Sequence, residues 1–209
     1  MGWSNYIPND IAYLYEIHDY KHAAAILSKE FPKEFEELCN ALREFRFTED
    51  DLKAAGGSES RIPKYFSKIL RGLGWHEKNL GAELNVYEIG KKSGKSLKSS
   101  FNHGSHKVDY LKGRVAFDLE WNSKDQTFDR DLYAFRAFFE YNAISLGVLV
   151  TRSNELDPIF KKLGIYPKYG ASTTQMGKLI PRLEAGRNGG CPVLVFGITP
   201  RLIIKSVMA

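Results

Sequence analysis

Cysteine is scarce in this sequence and long apolar runs are missing, and each shortage excludes a class of protein. The 209 residues contain two cysteines, Cys39 and Cys191. A disulfide framework or thiolate metal site needs more ligands at tighter spacing. Cys39 falls in the helical pattern FEELCNAL and Cys191 opens an apolar run, so both read as small core residues of a reducing compartment. No stretch is long and apolar enough to span a bilayer. The opening MGWSNYIPNDIAYLYEI has no basic region followed by an apolar run, so a signal peptide is not expected. Gly2 is not followed by the residues of a myristoylation signal. There is no internal repeat, and acidic excess is also missing. The net charge is +5 and the isoelectric point is near 9.0. That balance favours a polyanionic partner, although an ordinary basic protein accounts for the charge equally well.

What is present is enough to bury a core. Hydrophobic residues make up 43% of the chain and aromatic residues 13%, with 11 Tyr and 13 Phe, so extensive disorder is excluded. The length fits one domain, 1–209, with a helical N-terminal part over 1–75 and a core part over 80–209. Helices are expected over YKHAAAILS and over PKEFEELCNALREF, where Pro32 stands in the first turn. A short helix capped by Thr48 with Asp50 and Asp51 should end at Gly56-Gly57. IPKYFSKILRGLGW turns Ile62, Phe66, Ile69 and Leu70 inward. The period then changes. AELNVYEI alternates as a strand, GKKSGKSLKSSFNHGSHK reads as a basic flexible loop, and VDYLK and RVAFDLEWN return as strands across a turn at Gly113. The helix TFDRDLYAFRAFFEYNA presents Leu132, Phe135, Phe138 and Phe139 as a stripe suited to lying on a sheet. SLGVLVT is apolar throughout and should be central, and PVLVFGIT is a last buried strand. Between them come a short helix over 154–163, the irregular YPKYGASTT, and a helix bearing Pro181. The order argues an α/β fold in which helices flank a mixed sheet.

The chemistry concentrates in Val108-Asp109-Tyr110-Leu111-Lys112-Gly113-Arg114-Val115-Ala116-Phe117-Asp118-Leu119-Glu120-Trp121-Asn122. Alternation along a strand puts Val115, Phe117, Leu119 and Trp121 on one face and Ala116, Asp118, Glu120 and Asn122 on the other. Pairing across Gly113 brings Asp109 alongside. Three converging carboxylates repel one another and need a cation. All-oxygen ligands select a hard divalent ion, Mg²⁺ first among them, and such a site suits phosphodiester hydrolysis. The bland alternative makes each acid a solvated side chain on an exposed sheet face, paired with Lys112 or Arg114.

The pattern of an acid, a turn, then acid-x-third residue on a strand followed by a helix resembles the PD-(D/E)xK nuclease core. More specifically, it resembles the BglII and BstYI group of type II restriction endonucleases, whose second motif reads Glu-Val-Gln-Phe. Asp19-Tyr20-Lys21-His22-Ala23 with Ile26-Leu27, Gly74-Trp75 and the closing PVLVFGI are similar to that group as well. The resemblance implies a restriction-endonuclease-like fold and Mg²⁺-dependent cleavage of double-stranded DNA at a short palindromic site, leaving 5′-phosphate ends, with Mn²⁺ able to substitute. It implies Asp109, Asp118 and Glu120 as catalytic residues and Asp109, Asp118 and Leu119 as metal ligands. Two departures stand out. Asp118 is one methylene shorter than the group's Glu, and Glu120 replaces its Gln, an acid-x-Glu pattern similar to the BamHI type. Glu120 would then orient the attacking water or accept its proton.

Asn122, Ser123, Lys124, Asp125 and Gln126 follow the acid-bearing strand, where such enzymes approach the major groove, and these residue types suit base edges. A polar loop capping the next helix is an equally good account. Ser172, Thr173 and Thr174 would cap a helix or meet DNA. The basic segment with Lys91, Lys92, Lys95, Lys98, His103 and Lys107 has no nearby acid and would grip phosphates or enter the minor groove, the bland alternative being a disordered surface hairpin. Glu59 would cap a helix or add a site acid. Gly94-Lys95-Ser96 is not a phosphate loop, because Ile89 stands where the first glycine is needed, so no nucleotide cofactor is expected. A non-catalytic DNA-binding protein and a repair-type nuclease are the competing functions. Palindromic cleavage implies a cytoplasmic homodimer, its interface sought around Phe35–Phe47 or Ile62–Leu73.

Overall fold

The computed structural model describes residues 2–54, 61–91 and 93–205. Helix α1 (Asn9–Leu14) leads directly into strand β1 (Tyr15–Tyr20). Helices α2 (Ala23–Glu30) and α3 (Pro32–Glu44) follow, and Pro32 opens α3 where a missing N–H costs nothing. A two-residue strand β2 (Phe47–Thr48) precedes α4 (Glu49–Lys53). Thr48 and Asp51 close a capping box there, with Thr48 Oγ1 accepting from Asp51 N and Asp51 Oδ2 accepting from Thr48 N. Helix α5 (Arg61–Gly72) completes the N-terminal helices. Strands β3 (His76–Gly90), β4 (Gly94–Lys112) and β5 (Val115–Glu120) run consecutively. Helix α6 (Thr127–Glu140), strand β6 (Leu146–Arg152), helices α7 (Asp157–Lys162) and α8 (Met176–Glu184) and strand β7 (Val193–Ile198) follow, before the short β8 (Ile203–Ile204) pairs with β2.

The main sheet has six strands in the order β1-β7-β6-β5-β4-β3. β5, β6 and β7 are mutually parallel, and the strands outside them are antiparallel to their neighbours. β5, β6 and β7 are buried at every position, so both faces must be covered by helices. One face packs Val115, Phe117, Leu119, Val148, Val150 and Phe196 against the N-terminal helices. The other packs Ala116, Leu149, Val193 and Val195 against Leu132, Phe135 and Phe138 of α6 and Leu179 and Leu183 of α8. Gly147 marks how closely α6 approaches: an added Cβ would lie 2.3 Å from the Phe135 ring. The expected mixed sheet flanked by helices is therefore what the chain forms, with SLGVLVT at its centre. Among the described residues no helix is long and apolar enough to cross a membrane.

Two expectations about elements change. The N-terminal part contains a strand as well as helices: β1 pairs along its whole length with β7 and forms one edge of the sheet. The segment expected as a loop is most of β4, laddered to β3 from Lys107 through Lys95 with several register shifts. Its lysines also find partners on β3. Lys98 pairs with Glu88 at 2.5 Å, Lys107 with Glu77 at 2.6 Å, and Lys95 Nζ sits 3.7 Å from the Tyr87 ring centroid. Because β4 pairs with β5 only from Tyr110 to Lys112, the rest of the hairpin extends as a two-stranded arm. Glu59, Gly56, Gly57 and Lys92 lie outside the described residues. Of the faces considered for a dimer interface, Leu38, Leu42, Phe45, Phe47, Ile62, Phe66 and Leu70 are buried in the core, while Phe35 is half-buried and Tyr65 and Leu73 are exposed.

Candidate active site

The β4–β5 hairpin turns in two residues, Gly113 and Arg114, with Lys112 opposite Val115. Gly113 adopts a φ of 54°, the positive value such a turn requires. The ladder continues through Leu111–Ala116 and Tyr110–Phe117 and then stops. Asp109 and Asp118 therefore stand opposite each other where the two strands part. The Asp109 N–H donates to Asp118 Oδ1 at 2.7 Å, and the Leu119 N–H points to Asp109 Oδ2 at 3.4 Å. The N–H and C=O of one residue leave a strand on the same side. The Leu119 carbonyl thus lies on the edge of β5 that Asp109 faces, while β6 continues to pair on the other edge up to Glu120–Thr151.

Alternation along β5 is as expected. Phe117 and Leu119 join the core below the N-terminal helices, with Trp121 beyond the strand end, and Asp118 and Glu120 face α6. The two acids are not solvated: Asp118 is 3% exposed and Glu120 5%. Neither basic residue considered as a partner reaches them. Lys112 donates to Glu37 at 2.6 Å, and Arg114 donates to Ser145 at 2.8 Å and to the Asn142 carbonyl at 2.7 Å. A fourth carboxyl joins from the helix. Asp131 is 2% exposed and takes Arg130 Nη2 on Oδ1 at 3.1 Å, and the same guanidinium lies 3.8 Å from Glu120 Oε1. Glu120 Oε2 and Asp131 Oδ2 are buried without a hydrogen-bond partner. Asp131 was absent from the sequence-based site. Its signal is there, since position 131 lies three after Phe128 and four before Phe135 on the apolar stripe of α6.

Burial and mutual repulsion leave these groups reluctant to ionise. Burial pushes Asp118 well above the usual carboxylate range, with Asp131 and then Asp109 adding to the effect. Glu120 is pushed up to about 8, by burial first and Asp131 second. Asp131 rises to about 6 through burial, against the pull of Arg130. Asp109 rises through burial too, opposed by the Leu119 N–H. Among the described residues no three His, Cys, Asp or Glu side chains form a ready-made cation cage. The donor set nonetheless fits a hard divalent ion: every donor is oxygen, and the four carboxyls of Asp109, Asp118, Glu120 and Asp131 outnumber the two cations acting on them, Arg130 and Lys107.

Beyond the strand ends, two sequence-predicted segments come together. Thr174 N donates to the Ser123 carbonyl at 2.9 Å, Asp125 N donates to the Ser172 carbonyl at 2.9 Å, and Lys124 bridges Thr173. Asn122 Nδ2 donates to the Lys168 carbonyl at 3.2 Å. Arg152, fully buried at the end of β6, holds this strip from beneath. It donates to the carbonyls of Thr174 at 2.7 Å and Tyr169 at 3.0 Å and to Thr173 Oγ1 at 2.5 Å. The strip thus sits outside the carboxyl ends of the parallel strands, the place where open α/β sheets bind ligands. Ser123, Lys124, Gln126 and Ser172 are exposed, Asp125 contacts Arg182 at 3.5 Å, and Thr174 is buried. Neither Thr173 nor Thr174 caps α8, whose N-cap residue is Gln175. Lys107, two residues before Asp109, extends its ammonium to Glu77.

Compared with known families, residues 15–198 match the family described as restriction endonuclease BglII/BglIII. No curated protein matches the chain.

Proposed function

The chain belongs to the restriction endonuclease BglII/BglIII family, and from that premise we propose that it is a Mg²⁺-dependent type II enzyme. It would cut double-stranded DNA at a short palindrome in the cytoplasm, working as a homodimer and leaving 5′-phosphates. The observation that carries this reading is the meeting of Asp109, Asp118 and Glu120 at the parting of β4 and β5. Asp109, Asp118 and the Leu119 carbonyl would hold the ion, with Mn²⁺ an acceptable substitute. Bound there, it would supply Lewis-acid activation of water and neutralise charge on the scissile phosphate.

The protein's own groups do the rest. Asp109, half-buried and facing the open edge, would hold the ion and approach the scissile phosphate. Asp118 is fixed by the Asp109 N–H, so its free oxygen has a defined direction. Glu120 takes the proton of the attacking water, because a carboxylate raised to about 8 is a competent acceptor near neutrality. The strip of Ser123, Lys124, Gln126 and Ser172 reads base edges, with Asn122, Asp125, Thr173 and Thr174 shaping it from behind, and Lys107 meets a phosphate once released from Glu77.

The test is plasmid and phage DNA digested in Mg²⁺, in Mn²⁺, in Ca²⁺ and in excess EDTA. Discrete double-strand fragments in Mg²⁺ and Mn²⁺ are expected, with little cutting in Ca²⁺. Cleavage that persists in EDTA would overturn the site. Glu120→Gln measures the proton assignment: a rate loss of about a hundredfold or more supports it, and a near-normal rate reduces Glu120 to orienting the water.

A further inference from the structure

Among the described residues Arg152 is the only buried lysine or arginine. It ends β6 on the face that carries Val148 and Val150, where another aliphatic side chain would serve packing alone. A buried guanidinium is costly unless it is well paired. The charge pairing here is thin. Asp157 lies 3.9 Å from Nη1, and Nη1 makes no hydrogen bond. The stacked rings of Phe160 and Tyr169, with centroids 5.5 Å from the guanidinium carbon, add a weaker contact. Every hydrogen bond that the guanidinium does make goes to one segment. Nε donates to the Thr174 carbonyl, and Nη2 donates to the Tyr169 carbonyl and to Thr173 Oγ1. Thr173 and Thr174 in turn join Lys124 and Ser123. The residue before Arg152 does the matching task for the acids, because Thr151 Oγ1 donates to the Glu120 carbonyl at 2.7 Å. Consecutive residues of β6 therefore tie down the end of the acid-bearing strand and the strip that follows it.

We propose that Arg152 is a positioning residue for DNA reading: through Tyr169, Thr173 and Thr174 it fixes where the exposed side chains of the strip stand relative to the carboxylates, and sequence preference depends on it. This deepens the nuclease reading and rests on it. Arg152 itself touches no DNA, because it is wholly buried beneath the strip. Its effect passes through main-chain carbonyls, so it sets the frame and leaves the letters to Lys124, Gln126 and Ser172. Lysine keeps the charge but gathers its donors on one atom, so it cannot span the Tyr169 and Thr174 carbonyls as the planar fork does.

The test uses the whole protein, a duplex taken from the fragment ends of the phage digest, and the same duplex with single base-pair changes. Binding is measured in Ca²⁺. Arg152→Lys should lower the preference for the first duplex over the changed ones by about tenfold or more, while affinity for unrelated DNA stays as in the wild type. Thr173→Val, which removes one of the three bonds, should lower the preference less. Amide exchange should quicken at Asp125 and Thr174 in both variants and hold along β5. Tyr15→Phe is the stability control: it deletes a buried hydrogen bond to the Leu42 carbonyl, between β1 and α3, and should leave the preference intact. Should Arg152→Lys not fold, Thr173→Val decides alone. An unchanged preference in the folded variants would sink the positioning role and leave the nuclease reading standing. An equal loss of preference in Tyr15→Phe would also sink it, by reducing Arg152 to general stability. If the wild type yields no fragments and prefers no sequence, both readings fall together.

Discussion

On one side of β5, Phe117 and Leu119 interlock with the N-terminal helices; on the other, one residue along, Asp118 and Glu120 meet Asp131 of α6, and both sides are equally dry. The apolar side gains from its burial and the acidic side loses by it. A strand buried on two faces reads as a continuous apolar run when only packing is at stake. β6 does so, and β5 does not. The departure from that rule is confined to two positions and their helical partner, and such a local conflict persists where the site has a use for it.

The largest effect should come from removing charge on the acidic side. Asp109→Asn and Asp118→Asn are each expected to lower single-turnover cleavage by about a hundredfold or more, while DNA binding in Ca²⁺ holds or strengthens because a negative group facing the phosphate is gone. Full cleavage by Asp109→Asn would end the argument for the site. Next comes the apolar side. Phe117→Ala empties a fully buried aromatic position and should lower stability by about 3–5 kcal/mol, read by urea unfolding, with Mn²⁺ affinity of the folded fraction unchanged. A metal defect in that variant would blur the contrast between the faces.

A smaller effect separates the faces by pH. Glu120 and Asp131 titrate at about 8 and about 6 in the fold, above their unfolded values, so the native state holds more protons than the unfolded chain between roughly pH 4 and pH 8. Their contribution is fully present below the unfolded values and is lost as pH rises through the folded ones. In EDTA the melting temperature should therefore fall from pH 5 to pH 8. On the proposed placement of Mg²⁺ at Asp109 and Asp118, the ion's charge beside Glu120 and Asp131 favours their ionised forms, so saturating Mg²⁺ should flatten the slope, and an equal slope with and without Mg²⁺ would contradict that placement. The smallest effect belongs to the exposed strip. Lys124→Ala should reduce the slope of log affinity against log salt by about 0.9 if it meets one phosphate, and leave it unchanged if it reads a base.

Much of this was legible in local pattern. The period-two alternation of RVAFDLEWN placed Asp118 and Glu120 on one face, and the Gly113 turn placed Asp109 beside them. The helices over 32–44, 61–72 and 127–140 followed from stripes and a first-turn proline. What was missed depends on distant partners. β1 owes its conformation to β7, far away in the chain, through pairs such as Tyr15–Ile198. The Lys- and Ser-rich part of β4 has weak strand character of its own and is ordered by its ladder to β3. Asp131 was legible in principle, as a polar residue on an apolar stripe, but its partners are set by the docking of α6 on β5. The lysines of the arm looked free because their acids, Glu77 and Glu88, lie on the opposite strand.

The strip held by Arg152 has a consequence for how such a protein changes its preferences. Its frame is made of main-chain bonds, Thr174 N to Ser123 O and Asp125 N to Ser172 O, together with an arginine anchored under the surface. None of these bonds consults the side chains of Ser123, Lys124, Gln126 or Ser172. Lys124, Gln126 and Ser172 are interchangeable letters on a fixed line, whereas the Ser123 side chain hydrogen-bonds Glu120 and is tied to the acids. On the proposal that this strip meets DNA, a lineage could rewrite its preference by single substitutions while the line itself, and its distance from the carboxylates, stays where the sheet puts it.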